Sequence, residues 1–193
     1  MTPRNNLDGH VKPIANLLFE IRILKDIIRS GYPFLGTGRE SIAEHTFTAA
    51  FVCFVMARME EDIDRERLIS MALVHDIPEA RTGDLNYVQK KYATADEEKA
   101  VADLTRDLPF GEDIRSLIQE FNEGKTREAQ LARDADQISF IMELKKLKDN
   151  GAKPPEDWLP AVSGRLKTEL GKSIAQSLLE TRWDEWWMTD YSE

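Results

Sequence analysis

The chain has 193 residues, of which 41% are hydrophobic and 32% are charged. This length and composition suit one domain with an apolar core. The formal net charge of −9 disfavours duplex nucleic acid as a partner, because the field of the protein repels polyanions. The single cysteine, Cys53, excludes a disulfide within the chain and fits a reducing compartment.

The sequence also argues against export and membrane insertion. The N-terminal stretch MTPRNNLDGHVKP has no apolar segment of the kind found in secretory signals. The longest apolar stretch, at about residues 46–57, is shorter than the roughly 20 residues that span a bilayer. We therefore expect a cytoplasmic protein with no membrane partner.

The first half of the chain predicts three helices. Apolar residues recur at helical spacing over residues 13–29, and a segment with three glycines and a proline then interrupts the pattern. Ser41 and Glu44 have the spacing of a capping box and predict the start of a second helix that runs to Met59. Asp64 predicts the cap of a third helix, and Gly83 lies in a turn beyond its end.

The second half is also helical. A capping box at Thr94 and Glu97 predicts a helix that ends before Pro109, and Gly124 closes the next one. Residues 127–150 form the longest predicted helix, and it is apolar on two sides, which is typical of a helix packed between others. A proline-rich connection leads to C-terminal helices within residues 156–188. The prediction is an all-α fold, with residues 1–193 as a single domain.

Titratable residues cluster where the third predicted helix ends. The segment ALVHDIPEARTGDL places His75 and Asp76 directly after an apolar run, with Glu79, Arg81 and Asp84 close behind. Each histidine alone is best explained as a core or cap residue, and His10, in an irregular stretch, as solvated. A lone arginine in a turn, such as Arg81, is as often solvated as functional.

Taken together, these residues indicate a metal site. A divalent ion bound by imidazole and carboxylate needs ligands from several rigid elements. His45, His75 and Asp76 can supply them from two helices, and Asp134 or Asp136 can add a carboxylate from the long helix. A mixed nitrogen and oxygen ligand set suits one divalent transition metal (Mn, Co, Fe, Ni or Zn) better than Ca.

Three blocks of the sequence resemble those of a known family. ESIAEHT, ALVHDIPEARTGDL and ARDADQISFIMEL, with IRSGYPF ahead of them, are similar to the signature blocks of the HD-domain metal-dependent phosphohydrolases, in their 5'-deoxynucleotidase (YfbR-like) branch. The blocks fall at about residues 29–45, 72–85 and 132–144, and the similarity covers nearly all the chain. The resemblance implies a single HD domain, a helical bundle built around a divalent metal.

The resemblance also implies roles for individual residues. The metal ligands would be His45, His75, Asp76 and Asp136, with Asp136 preferred over Asp134 because it precedes the Gln-Ile pair. Glu79 corresponds to the catalytic acid or base, and Asp84 to an aspartate that positions both substrate and water. Arg29 and Tyr32 correspond to substrate-binding positions, although the family often has tryptophan where this chain has Tyr32.

The implied activity is hydrolysis of deoxynucleoside 5'-monophosphates to deoxynucleoside and phosphate, by a homodimer that acts on a small-molecule substrate. The residue types suit this reaction, because a divalent ion and a nearby arginine (Arg29 or Arg81) offset phosphoryl charge. Alternatives are another HD activity, on triphosphates, alarmones or cyclic nucleotides, and a non-catalytic nucleotide-binding scaffold.

Overall fold

A computed structural model of the protein describes residues 8–190, with side chains from residue 11 onward, so the side chain of His10 lies outside the described part. Within that range the chain forms no β-strand, as expected for an all-α fold. The α-helices, numbered in chain order, are α1 (Asp8–Arg22), α2 (Tyr32–Leu35), α3 (Ile42–Met59), α4 (Arg65–Val74), α5 (Glu79–Thr82), α6 (Glu97–Thr105), α7 (Gly111–Glu123), α8 (Arg127–Asp149), α9 (Pro155–Ser163), α10 (Glu169–Glu180) and α11 (Glu185–Met188).

Helix α8 lies at the centre of the bundle. It packs against α3, α4, α7, α9 and α10, which explains why its sequence is apolar on two sides. Leu131, Ile138, Ile141 and Leu144 of this helix are completely buried. A second, smaller core forms where residues of α1 pack against α6 and α7. The long helix is therefore a rigid support for any side chain that it directs toward α3 or α4.

Most predicted helix starts are confirmed by their hydrogen bonds. Ser41 and Glu44 form the reciprocal capping box at the start of α3, and the Asp64 side chain accepts from the Arg67 amide at 2.9 Å. The prediction for α6 is wrong by two residues: the cap is Asp96, which accepts from the Lys99 amide, and not Thr94. Both residue types can cap a helix, so composition alone does not separate them.

The first helix ends earlier than its apolar pattern predicts. After α1 the chain makes a short 3-10 turn, Ile23–Lys25, and Ile28 then forms an isolated antiparallel bridge with Ser41. The amide of Arg29 donates to the Glu40 carbonyl at 2.9 Å, and the amide of Ile42 donates to the Ile27 carbonyl at 3.0 Å. This bridge fixes the backbone at Arg29 beside the start of α3.

Two further features add detail to the sequence predictions. The C-terminal helices begin within the proline-rich connection, with α9, because Pro155 occupies its first turn, where no backbone donor is lost. Helix α3 has 18 residues with a mean hydropathy of 1.2 and is, among the described residues, the one helix long and apolar enough to cross a membrane. This helix extends beyond the apolar stretch of residues 46–57 at both ends, through Glu44 and Arg58, and 44% of it is buried within the bundle.

Candidate metal centre and adjoining cavity

Three helices carry the predicted ligands to one place. His45 lies in the first turn of α3, where the capping box fixes its backbone, and His75 and Asp76 follow the last turn of α4. Asp136 lies in the middle of α8, which packs against both helices. Because every side chain starts from a rigid, well-packed element, the arrangement is preorganised.

The ligand atoms are close to one another. One atom each from His45, His75 and Asp76 lies within 4.8 Å of the others, a group able to hold a metal ion. The Nε2 atom of His45 is 2.9 Å from an Asp136 oxygen and 3.7 Å from an Asp76 oxygen, and the Nε2 atom of His75 is 3.2 Å from the same Asp76 oxygen. All four predicted ligands are therefore brought together.

Hydrogen bonds fix the orientation of both imidazole rings. The Nδ1 atom of His75 lies 2.7 Å from the Ala72 carbonyl, which can only accept, so Nδ1 carries the proton. The Nδ1 atom of His45 lies 3.1 Å from the Ser139 hydroxyl, whose oxygen is also 3.5 Å from the His45 carbonyl. Both rings thus direct the Nε2 lone pair toward the carboxylates, as metal-binding histidines do.

The donor atoms fit a divalent cation. Both Nε2 atoms are buried, and although carboxylate oxygens lie 2.9 and 3.2 Å away, neither contact has hydrogen-bond geometry. Burial lowers the pKa of His75, but Asp76 and Asp136 outweigh it and raise the pKa to about 9. Burial opposes ionisation of Asp136, yet His45, His75 and Arg29 hold its pKa below the usual range. Such a site favours positive charge, and two imidazoles with carboxylates suit a transition metal.

Asp134 has a different role from Asp136. Its carboxylate accepts from the backbone amides of Lys167 and Thr168 at 2.8 and 2.7 Å, and from the Thr168 hydroxyl at 2.6 Å. It therefore ties α8 to the start of α10, on the side of α8 away from the histidines. Of the two candidate carboxylates, Asp136 is the one beside His45.

Glu79 begins the short helix α5 instead of continuing α4, because a turn at residues 75–78 separates the two helices. Burial raises the pKa of Glu79 to about 8, and the negative charges of Asp76 and Asp84 add to this effect. A carboxyl group in this condition holds a proton at neutral pH, which is a property of groups that transfer protons in catalysis.

Arg29 and Asp84 connect the metal centre to a cavity of about 590 Å³. The guanidinium of Arg29 lies 3.9 Å from Asp76 and over the ring of Phe140, at 5.8 Å from its centroid. Asp84 accepts from the backbone amide of Ser30 at 2.7 Å. Phe140 and Trp158 give the cavity aromatic walls beside these charged groups. The cavity is large enough for a flat, ring-containing ligand.

Two sequence candidates have partners that change their expected roles. Tyr32 is 4% exposed, and its hydroxyl donates to Glu40 at 3.1 Å, so it is anchored in the wall and does not offer a free ring to a ligand. Arg81 forms a two-pronged ion pair with Glu20 of α1. It therefore joins α5 to α1, and Arg29 is the arginine that faces the metal centre.

Sequence reasoning missed three residues around the site. Ser139 and Gln137 contact the ligands His45 and Asp136, and Glu40 contacts Tyr32. Ser139 follows Asp136 by three positions on a helix, so the shared face is a signal that could have identified it. Glu40 lies in an irregular segment before α3, where no periodicity applies.

Comparisons with known proteins agree with this geometry. A family model described as an HD domain matches residues 21–178. The 5'-deoxynucleotidase HDDC2 of Dictyostelium discoideum is 28% identical over 177 residues, covering 82% of this chain and 93% of the relative. The 5'-deoxynucleotidase hdd1 of Schizosaccharomyces pombe is 30% identical over 131 residues, covering 63% and 65%.

Solved structures give the same result. The PH0347 protein of Pyrococcus horikoshii superposes with a TM-score of 0.71 at 27% identity, over 86% of this chain and 98% of that protein. A predicted metal-dependent phosphohydrolase of Magnetospirillum magnetotacticum superposes with a TM-score of 0.68 at 25% identity, over 93% and 95%. With the paired histidines, the His-Asp dipeptide and the downstream aspartate in one site, the chain belongs to the HD-domain family.

Proposed function

We propose that this protein is a metal-dependent phosphomonoesterase that hydrolyses deoxynucleoside 5'-monophosphates to deoxynucleoside and phosphate. The observation that carries the proposal is the convergence of His45, His75, Asp76 and Asp136 next to Arg29 and the aromatic cavity. The similarity to curated 5'-deoxynucleotidases along most of the chain supports the choice of substrate.

In this proposal His45, His75, Asp76 and Asp136 hold one divalent transition metal (Mn, Co, Fe, Ni or Zn). When bound, such an ion lowers the pKa of water and neutralises phosphoryl charge. Arg29 stays protonated, because the surrounding carboxylates raise its pKa against the effect of burial, and it binds phosphate oxygens.

In this proposal Glu79 transfers protons during the reaction, and Asp84 positions the reactants. Hydrolysis joins a water oxygen to phosphorus, breaks the bond from phosphorus to the 5' oxygen and requires a proton on that leaving oxygen. Glu79, whose pKa is raised to about 8, can take a proton from water or give one to the leaving oxygen. Asp84, held by the Ser30 amide, lies in the cavity wall and positions the substrate and the water.

The experiment is a panel of phosphate-release assays on purified protein, with and without added Mn or Co. The panel contains deoxynucleoside 5'-monophosphates, 3'-monophosphates and triphosphates. We expect metal-dependent release from the 5'-monophosphates, little from the 3'-monophosphates and none from Asp136→Asn. Activity confined to triphosphates would assign the protein to another HD activity, and nucleotide binding without turnover would favour a scaffold.

We further propose a cytoplasmic homodimer with no nucleic-acid or membrane partner. Three phenylalanines lie along one exposed side of α3, Phe47, Phe51 and Phe54, here called the α3 phenylalanine stripe; they are 72%, 57% and 41% exposed. Neighbouring rings of the stripe are stacked at 6.4 and 5.9 Å. Such a row of exposed rings is typical of an interaction surface, and a second copy can cover it symmetrically. The net charge of −9 argues against nucleic acid and anionic lipid.

A further inference from the structure

Glu40 is a buried carboxylate that the proposed reaction does not use. It is 4% exposed and lies directly before Ser41, the cap of α3. Burying a carboxylate is costly unless polar partners compensate it. The Tyr32 hydroxyl donates to Glu40 Oε2 at 3.1 Å, and Nε of Arg29 lies 3.9 Å from the same oxygen. Both partners are residues at the edge of the candidate active site.

The guanidinium of Arg29 is held between two carboxylates. Its Nε faces Glu40, whereas Nη1 lies 3.9 Å from Oδ2 of Asp76. The Arg29 amide also donates to the Glu40 carbonyl at 2.9 Å, so backbone and side chain are aligned by the same residue. The charges of Asp136, Asp76 and Asp84 also attract the guanidinium. Without Glu40, the guanidinium would be drawn further toward these carboxylates.

We infer that Glu40 is a positioning residue, fixed by Tyr32, that orients the Arg29 guanidinium for binding the phosphoryl group. The inference rests on the proposed function in one respect, the assignment of Arg29 to phosphate. Removing the Glu40 charge leaves the metal ligands in place but lets Arg29 rotate or pair with the ligand carboxylates. Substrate binding is then weakened, whereas the metal content is unchanged.

The test compares Glu40→Gln with a matched control, Glu143→Gln. Glu143 lies on α8 near Glu40 and bonds only to surface Lys146 in the described structure, so its substitution removes the same charge without touching Arg29. For Glu40→Gln with Mn at pH 8, where a group with a pKa of about 7 is ionised, we expect KM for a deoxynucleoside 5'-monophosphate to rise about tenfold, while kcat changes less than about threefold. Metal content by elemental analysis stays as in the wild type. Tyr32→Phe gives a smaller rise in KM, and Glu143→Gln gives none.

A double-mutant cycle with Arg29→Ala tests whether Glu40 acts through Arg29. The affinity of the Mn-loaded protein for inorganic phosphate, measured by calorimetry, is the second readout. We expect Glu40→Gln to weaken phosphate binding in the wild-type background and to have no effect in the Arg29→Ala background. Equal effects in both backgrounds, or a wild-type KM and phosphate affinity in Glu40→Gln, would overturn the inference.

The phosphate readout also separates this inference from the proposed function. If the wild type hydrolyses no monophosphate, the proposed function fails, yet the cycle still measures coupling between Glu40 and Arg29. If Glu40→Gln does not fold, Tyr32→Phe takes its place in the cycle, since it removes the hydroxyl that holds the intact carboxylate. A Tyr32→Phe protein with unchanged KM and phosphate affinity would then contradict the inference.

Discussion

At the scale of single residues, Glu79 differs from its neighbours because it lies outside the ligand group and yet feels the charges of that group. The cluster consists of His45, His75 and Asp76, and Glu79 follows Asp76 by three residues, with a pKa raised to about 8 by burial and by the charges of Asp76 and Asp84. This separation allows proton transfer to be removed without removing the metal.

The first prediction follows from this separation. Glu79→Gln should keep its metal and bind a deoxynucleoside 5'-monophosphate almost normally, because the amide preserves size and polarity. Its kcat should fall by roughly a hundredfold to ten-thousandfold, the usual contribution of general acid–base catalysis. Elemental analysis and steady-state kinetics measure the two effects. A metal-free variant, or a nearly normal kcat, would exclude the assigned role.

The second prediction concerns the stability cost of Glu40. Burial, with smaller effects of Glu143 and Glu44, raises its pKa from 4.5 to about 7, against the opposing effects of Arg29 and Tyr32. As the pH rises from 4.5 to 7, the unfolded chain releases this proton while the folded protein keeps it. The free energy of unfolding therefore falls by about 3 kcal/mol over that interval, because each unit of pKa shift corresponds to about 1.4 kcal/mol.

Glu40→Gln has no such proton, so its stability relative to the wild type should increase between pH 4.5 and pH 7 and then level off. Denaturant unfolding of both proteins at several pH values, in the presence of a chelator, measures the difference. Glu143→Gln removes only a smaller contribution to the raised pKa of Glu40, so it should stay closer to the wild type than Glu40→Gln does. A constant difference between Glu40→Gln and the wild type would contradict the raised pKa.

At the scale of elements, α8 shows how one helix serves both stability and the site. Asp134 and Asp136 are two residues apart and therefore lie on different sides of the helix. Asp134 binds the start of α10 through Lys167 and Thr168, whereas Asp136 faces His45. Helical periodicity does not separate these two aspartates; the family resemblance favoured Asp136, and the packing places Asp136 beside His45.

The third prediction uses this pair. Asp134→Asn should lower the free energy of unfolding by about 1–3 kcal/mol, because a charged acceptor of several hydrogen bonds is lost, while metal content is retained in the folded fraction. Asp136→Asn should lose metal, with a much smaller effect on unfolding of the metal-free protein. Elemental analysis and denaturant unfolding with a chelator decide the matter. The reverse pattern would exchange the two roles.

The elements also show what a sequence can predict. The capping signals at Ser41, Asp64 and Gly124 are local, and each is confirmed by the structure. The predicted end of α1 was wrong because Ile28 pairs with Ser41. This contact crosses the intervening loop, and helical periodicity carries no information about it. The motifs singled out His45, His75, Asp76 and Asp136, which the fold brings together on helices or directly after a helix end. The motif ESIAEHT begins with Glu40 but assigns that residue no role, because its contacts with Tyr32 and Arg29 arise only in the folded chain.

At the scale of the whole molecule, two groups of exposed aromatic residues are close together in the chain, while others, such as Phe19 and Tyr92, are scattered over the surface. One is the α3 phenylalanine stripe, and the other is α11, where Trp186 and Trp187 are 65% and 56% exposed. Because the stripe belongs to the helix that carries His45, a partner bound there would also stabilise the support of the metal centre.

The fourth prediction tests the homodimer. The wild type should sediment as a dimer at micromolar concentration, and Phe51→Ser should weaken the dimer at least about tenfold, since central aromatic residues dominate interface energies. Tyr92→Ser is the control, because Tyr92 is 87% exposed but lies far from α3 in the chain. A wild type that stays monomeric over the same concentrations would exclude the proposed dimer.

The bridge between Ile28 and Ser41 has a consequence for how this fold can diversify. It closes the chain between residues 29 and 40 into a loop whose two ends are joined by hydrogen bonds of the Arg29 and Ile42 amides. Insertions or deletions near the tip of the loop, at Gly36, would leave both ends in place. The distance from Arg29 to His45 would thus stay the same despite such changes. Grafting loops of other lengths there is a route to new substrate preferences on an unaltered metal centre.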